Sequence, residues 1–188
     1  MGFRSLFTKG VAVTSAGRTS QHSRKASSYA KQAMNCFRQA KSLKADKKIG
    51  KKWSSPVNLG PPINTKHWET QPSFSSHGKT LYFIRGLTKD RQRRSPDDQD
   101  IFYSEITADG WTKPIRLPNN INTPFREESV QIHPDGKTLY FSSNGHPGMG
   151  GLDIYMTRKK ENGTWSNPVN LGYPLNTYVD ENSLLVSS

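Results

Sequence analysis

The sequence predicts an all-β fold made of repeated antiparallel sheets, and three observations support this prediction. The chain repeats itself from Trp53 onward, short segments of alternating polarity lie between turn residues, and only 32% of the 188 residues are hydrophobic. Gly, Pro, Asn and Ser separate these short segments from one another. Such a pattern is typical of short, half-buried strands joined by tight loops.

The repeat is led by three tryptophans, Trp53, Trp111 and Trp165, which are 58 and 54 residues apart. The copies read WSSPVNLGPPINT, WTKPIRLPNNINT and WSNPVNLGYPLNT, and the string GKTLYF recurs unchanged in the first two. The residues that recur once in every copy also include Asn64, Asn122, Asn176, Glu69, Glu127 and Glu181. A match of this length predicts successive copies of one structural unit.

One unit is predicted to contain four short strands. In the second copy, residues 129–133 alternate polar and apolar side chains, and Pro134-Asp135-Gly136 supplies the turn that follows. Further strands are predicted at 138–142, 153–157 and 165–171. A four-stranded antiparallel meander of about 50 residues has the size of one β-propeller blade.

The predicted fold is therefore a β-propeller fragment of two four-stranded antiparallel blades plus flanking strands, within residues 53–188. The blades are assigned to about 69–121 and 127–175. An outer strand at 53–59 precedes them, and 184–187 begins a further blade.

Two blades shield only the face that they share. A propeller typically has 4 to 8 blades, so the outward faces of two blades, with residues such as Phe74, Leu81 and Phe83, are expected to stay in contact with water. Fully burying such a side chain is worth roughly 1.5–3 kcal/mol. Further blades or other copies of the chain are therefore expected to close the propeller.

The motifs resemble a known family. The string W-S-x-P-V-N-L-G-x-P-I-N-T, an acidic residue after it, D-G-K-T-L-Y-F and G-G-x-D-I-Y are similar to the WD40-like (PD40, TolB-type) β-propeller repeats. They are most similar to the propeller region of Bacteroidetes cell-envelope proteins with tetratricopeptide repeats before it and an OmpA-like peptidoglycan-binding domain after it. The resemblance covers residues 53–188. It departs at His77, where the family has Asp, and in the charged loop 87–99.

The resemblance implies a non-catalytic module for protein interaction or scaffolding in the bacterial cell envelope, either periplasmic or associated with the outer membrane. The first 25 residues lack the apolar stretch of about 7 to 15 residues that a secretory signal contains. No segment approaches the roughly 20 apolar residues of a membrane-spanning helix. The single cysteine, Cys36, excludes an intramolecular disulfide.

Residues 1–52 form a basic arm of different character. They hold 13 Lys and Arg against one acid, whereas residues 53–188 hold 14 basic and 14 acidic side chains. Helical spacing predicts one amphipathic helix, formed by Tyr29, Ala30, Ala33, Met34, Phe37, Ala40 and Leu43. In the family this helix corresponds to a tetratricopeptide remnant; an isolated helix packed on the propeller edge fits equally well. Because the body is neutral, nucleic-acid binding through the arm is a secondary alternative.

No catalytic, cofactor or metal site is predicted. An active site needs its carboxylate once, so the acid that recurs in every unit indicates a structural tie, and the recurring asparagines are expected to bond loop backbone between strands. The Gly-rich loop 145–151 lacks the Lys-Ser/Thr ending of a phosphate-binding loop. Asp97, Asp98 and Asp100 lack the spacing of a calcium loop.

Three residues of one loop are the candidate interaction site. Asn144, His146 and Met149 occur in one copy only and are expected to be exposed at one end of the blades, where loops meet ligands. A protein is the expected partner. The alternative from another class is a hydrolase-type propeller enzyme with a site in the central funnel, which would require acidic or nucleophilic residues unique to one blade.

Overall fold

The computed structural model describes residues 57–86 and 99–186, together with the backbone of three two-residue strands before them. This part of the chain contains β-strands and no helix, so the prediction of an all-β fold is confirmed. No helix that could cross a membrane is found among these residues. The predicted amphipathic helix at 29–43 lies outside them.

Four two-residue strands precede the first large sheet. They are β1 (Lys44–Ala45), β2 (Lys48–Ile49), β3 (Lys52–Trp53) and β4 (Val57–Asn58). β1 pairs with β4 and β2 pairs with β3, both antiparallel. The described strands therefore include Lys44, which lies inside the segment that the sequence assigns to the basic arm.

The first large sheet is antiparallel. It contains β5 (Glu69–Phe74), β6 (Thr80–Gly86), β7 (Gln99–Thr107), β8 (Gly110–Trp111) and β9 (Ile115–Arg116). The order is β5-β6-β7-β8, and β9 also pairs with β7. β-Branched and aromatic residues fill β6, which is buried from Thr80 to Ile84. The turn before β6 needs Gly78, whose φ is +70°.

The second large sheet repeats this arrangement. Its strands are β10 (Glu127–Ile132), β11 (Thr138–Ser143), β12 (Asp153–Arg158) and β13 (Val169–Asn170), in the order β10-β11-β12-β13. The first three lie within two residues of their predicted positions. The predicted strand at 165–171 is reduced to Val169–Asn170 and a single bridge between Lys159 and Trp165.

The pairing registers recur along the chain. Each leading tryptophan occupies the same position of its ladder, as in the pairs Lys48 with Trp53, Ile106 with Trp111 and Lys159 with Trp165. The outermost ladders also correspond, in the pairs Ala45 with Val57, Tyr103 with Ile115 and Met156 with Val169. The described chain thus contains three copies of one outer ladder.

The two large sheets share a buried core, because β10 packs against β5, β6 and β7. The rings of Trp165 and Tyr82 pack in a T-shaped arrangement, with ring centroids 6.4 Å apart. The Ile132 amide donates a hydrogen bond of 3.0 Å to the Ser73 hydroxyl across the interface. The core comprises Tyr82, Ile84, Ile101, Leu117, Ile121, Val130, Ile132, Leu139, Phe141, Tyr155 and Trp165.

The other face of the first sheet is also covered. Leu81 and Phe83 are 0% exposed, so the prediction that they face water is wrong. The segment before β5 brings Ile63 against them, and Trp111 packs at the edge of the same cluster. Phe74 alone of the three predicted residues stays partly exposed, at 38%.

The segment after residue 181 packs on the second sheet as β10 packs on the first. The Gln131 side chain accepts a hydrogen bond from the Val186 amide at 3.2 Å and donates one to its carbonyl at 3.3 Å. Gln131 stands 58 positions after Ser73, and Val186 stands 54 after Ile132. The contact between successive units is therefore repeated.

Candidate functional site

The recurring glutamates are buried and bound to the loop that precedes them. Glu69, Glu127 and Glu181 are at most 2% exposed. Each accepts hydrogen bonds from the backbone amide and the hydroxyl of the threonine four residues earlier, and the hydroxyl bonds are 2.6, 2.8 and 2.5 Å long. These carboxylates hold the turn between one unit and the next.

The first two glutamates differ in their third partner. Glu69 receives the Arg85 guanidinium, with Nε 2.9 Å from Oε1. Ser143 takes the position of Arg85 in the second unit, and its hydroxyl donates to Glu127 Oε1 at 2.9 Å. The third partner of the carboxylate is therefore a cation in the first unit and a neutral hydroxyl in the second.

Burial raises the pKa of Glu127 from 4.5 to about 7, against the hydrogen bonds from Thr123 and Ser143 that lower it. The folded chain therefore binds this proton more tightly than the unfolded chain does. The stability linked to it is fully present below about pH 4.5 and is lost as pH rises through 7.

We expect the free energy of unfolding to fall between pH 5 and 8, with roughly 3 kcal/mol linked to Glu127. Glu127→Gln removes the titrating group and should flatten this part of the profile. Urea unfolding across the pH range measures it, with the exposed Glu105→Gln as the matched control. Parallel profiles for wild type and Glu127→Gln would show that the carboxyl titrates normally.

The asparagines bond backbone groups of both strand and loop. The loop contact agrees with the prediction, since the Asn122 side chain donates to the carbonyl of Leu117, just after β9, at 3.0 Å. The Asn122 side chain accepts from the Ile101 amide at 2.8 Å and donates to the Ile101 carbonyl at 3.0 Å. Asn176 binds Ile154 in the same way, at 2.8 and 2.9 Å. An amide side chain thus satisfies both backbone groups of a strand residue. Asn64 donates instead to the Asn58 side chain, at 2.6 Å.

The leading tryptophans that can be described have different surroundings. Trp165 is buried in the core between the sheets, and Trp111 packs on Phe74 with ring centroids 6.1 Å apart. The side chain of Trp53 lies outside the described residues, although its backbone pairs in β3. The tryptophan at this position of the ladder therefore packs in the core between the sheets in one unit, and beside the cluster of the first sheet in another.

The structure separates the three candidate interaction residues. Met149 is exposed, as predicted. Asn144 is exposed, but its side-chain oxygen accepts from the Arg126 amide at 2.9 Å. His146 is only half-exposed: its ring lies 5.1 Å from the Tyr155 ring, and Nε2 is 2.9 Å from the Ile121 carbonyl oxygen. The His146 side chain therefore packs against the sheet and holds the loop in place. The prediction that it is exposed is wrong.

The loop 144–152 joins two turns that connect the units. Asn144 binds Arg126 on one side, and the Leu152 amide donates to the Asp180 carboxylate at 2.9 Å on the other. These two turns carry three exposed apolar side chains, Phe125, Tyr178 and Val179. We call these residues, together with Met149, the loop face. Sequence patterns missed it because its residues come from two turns and from the loop 144–152.

The departure from the repeat at His77 has a structural explanation. His77 replaces the aspartate that stands at position 135, and its Nδ1 accepts the Lys79 amide at 3.1 Å as Asp135 accepts the Lys137 amide at 2.8 Å. Ser75 lies 3.2 Å from the same Nδ1, but its hydroxyl closes the turn by accepting the Thr80 amide at 3.0 Å. This serine and histidine therefore close a β-turn.

Of the three neighbouring aspartates singled out from the sequence, one lies in the described part of the chain. Asp97 and Asp98 lie outside the described residues, and Asp100 receives two hydrogen bonds from Arg116, of 2.6 and 2.8 Å. Within 57–86 and 99–186 no group of three or more His, Cys, Asp or Glu side chains is placed to hold a metal ion.

Comparison with protein-family models, curated proteins and solved structures finds no match for the chain.

Proposed function

We propose that the repeated units are blades of a WD40-like (PD40, TolB-type) β-propeller that serves as a non-catalytic protein-binding or scaffolding module. The recurring registers and the repeated contact between units support the blade assignment. By its resemblance in sequence, the module belongs to a bacterial cell envelope, in the periplasm or beside the outer membrane.

One observation carries the binding role. The recurring polar side chains are occupied by scaffold bonds, whereas the loop face consists of exposed apolar side chains on two successive turns and on the loop 144–152. Several exposed apolar groups at one end of a sheet are typical of a protein-interaction surface. A hydrolase site would instead need unrepeated groups converging on substrate, and the Ser75 and His77 pair is closed within its own turn.

Photo-crosslinking tests this role. A benzoylphenylalanine at Phe125 or Tyr178 should give one discrete adduct of higher mass in an envelope extract, because these positions belong to the loop face. The matched controls are Asp109 and Asn162, exposed turn residues at the opposite ends of β7 and β12, which should give none. Equal crosslinking from both ends, or none from the loop face, would contradict the proposal.

A further inference from the structure

The turn that leads into each unit has the same backbone frame in all three copies. It runs from the recurring asparagine to the recurring glutamate, at 64–69, 122–127 and 176–181. In each turn the threonine hydroxyl accepts the amide two residues later, at 3.1, 3.1 and 3.3 Å. The same hydroxyl donates to the buried glutamate that ends the turn. The frame is therefore held in one way three times.

The three residues inside each frame differ from unit to unit. They read Lys-His-Trp at 66–68, Pro-Phe-Arg at 124–126 and Tyr-Val-Asp at 178–180. Every turn exposes half or more of an apolar side chain, since Trp68 is 61%, Phe125 50% and Tyr178 86% exposed. A repeat keeps the residues that its structure needs, whereas varied residues on a fixed loop frame are typical of a binding surface.

The first two turns are neighbours at one end of the sheets. The Trp68 carbonyl accepts the Gly86 amide at 3.0 Å. Gly86 pairs with Gln99, and Gln99 forms a parallel bridge with Arg126 of the second turn. Three steps between adjacent strands, of about 4.8 Å each, place the two turn backbones no more than about 15 Å apart.

The third turn follows at the same end. The Arg126 carbonyl accepts the Asn144 amide at 3.2 Å, where the loop 144–152 begins. At the end of this loop the Leu152 amide donates to the Asp180 carboxylate at 2.9 Å, and its carbonyl accepts the Glu181 amide at 2.7 Å. We call the residues 66–68, 124–126 and 178–180 the turn row. Since an extended chain advances about 3.3 Å per residue, roughly nine residues span the row.

Charge changes sign along the turn row. Lys66 is exposed at the first turn and forms no ion pair within 57–86 and 99–186. Arg126 at the second turn is paired with Glu128, at 2.9 Å. Asp180 is exposed at the third turn, and no cation of the described chain pairs with it. The described row therefore has a positive end, a neutral centre and a negative end.

We propose that the turn row binds an extended protein segment that carries an acidic residue at the first turn, apolar residues over the centre and a basic residue at the third turn. This inference rests on the proposed binding role and assigns its specificity to the varied residues of the turns. Trp68 anchors the segment at the first turn, because exposed tryptophans are typical of binding hot spots. The buried glutamates hold the frames before binding, which reduces the ordering cost of the complex.

Phage-displayed random 12-residue peptides selected on the full chain test this inference. The selected peptides should share an acidic end, an apolar centre and a basic end, in either chain direction. Trp68→Ala should weaken their binding at least about tenfold, and Lys66→Glu about fivefold at low salt. The matched controls, Ile106→Ala and Lys79→Glu, change exposed residues at the opposite end of the first sheet and should leave binding unchanged. Because all four side chains are exposed, Tm should stay within about 2 °C of wild type.

A second selection, on Lys66→Glu itself, should replace the acidic end of the peptides with a basic one. Equal binding to wild type, Trp68→Ala and Lys66→Glu would overturn the inference, as would selected peptides without an acidic end. Peptides that lose binding in Tyr178→Ser but in neither first-turn variant would refute the row and leave the proposed binding role intact. Recovery of no peptide, or of peptides that Tyr178→Ser also leaves unaffected, would count against both.

Discussion

Arg85→Met should lower the free energy of unfolding by about 3–5 kcal/mol, because it leaves the buried carboxylate of Glu69 without its counter-charge. The arginine side chain is 11% exposed and that of Glu69 is 0% exposed, so water cannot take over the lost contact. The guanidinium also donates to the Ile63 carbonyl at 2.8 Å and to the Pro62 carbonyl at 3.3 Å. One substitution therefore removes the counter-charge of the carboxylate and one donor from each of two carbonyl groups.

The second unit explains why methionine cannot compensate. There Glu127 is buried without an arginine but receives the Ser143 hydroxyl, and burial raises its pKa to about 7. Methionine offers no donor at the equivalent place. Its chain can still pack on Phe83 and Phe102, whose rings lie 5.3 and 5.0 Å from the guanidinium carbon. The expected loss is therefore electrostatic more than steric.

Urea unfolding with two further variants separates these contributions. The double variant Arg85→Met/Glu69→Gln should recover part of the lost free energy of unfolding, because it no longer buries the unpaired carboxylate of Glu69. Arg116→Met breaks the corresponding pair with Asp100, but Arg116 is 35% exposed, so its loss should be smaller. A cost below 1 kcal/mol for Arg85→Met, or no recovery in the double variant, would mean that the pair contributes little.

Recurrence made much of this scaffold predictable. A carboxylate that returns in every copy has a role that every copy needs, and the buried positions of Glu69, Glu127 and Glu181 agree with such a role. The turn residues and the alternation of side chains predicted the ends of β10, β11 and β12 to within two residues of their positions in the structure. Local sequence patterns suffice here because strand alternation and turn residues act over a few neighbouring positions.

Non-local contacts were the part that the sequence did not reveal. Leu81 and Phe83 are buried by a loop segment that carries Ile63, and no periodic pattern marks such a segment. His146 looks exposed in a Gly-rich loop, yet its ring packs against Phe141 and Tyr155. The pairing of Arg85 with Glu69 depends on strand register across 16 residues. The change from Arg85 to Ser143 between aligned copies was the one available signal.

Phe83→Ala and Phe141→Ala should each cost about 3–5 kcal/mol, since each removes a fully buried aromatic ring. The two residues hold the same position in the GKTLYF string but have different neighbours. Phe83 stacks on Phe102 in the cluster of the first sheet, at 6.2 Å between ring centroids. Phe141 stacks on Tyr155 at 5.8 Å, within the core that both sheets share. The half-exposed Phe125→Ala is the control and should cost less than about 1 kcal/mol.

The pair also tests whether the sheets unfold as one body. The core between them joins residues of β6 and β7 to residues of β10, β11 and β12, so loss of either sheet exposes the apolar face of the other. Both substitutions should therefore lower a single transition and leave its denaturant slope unchanged. If Phe83→Ala instead split the curve in two while Phe141→Ala did not, each sheet would be stable by itself. Side-by-side stacking of blades would then contribute little to the fold, which would remove the physical basis of the propeller assignment.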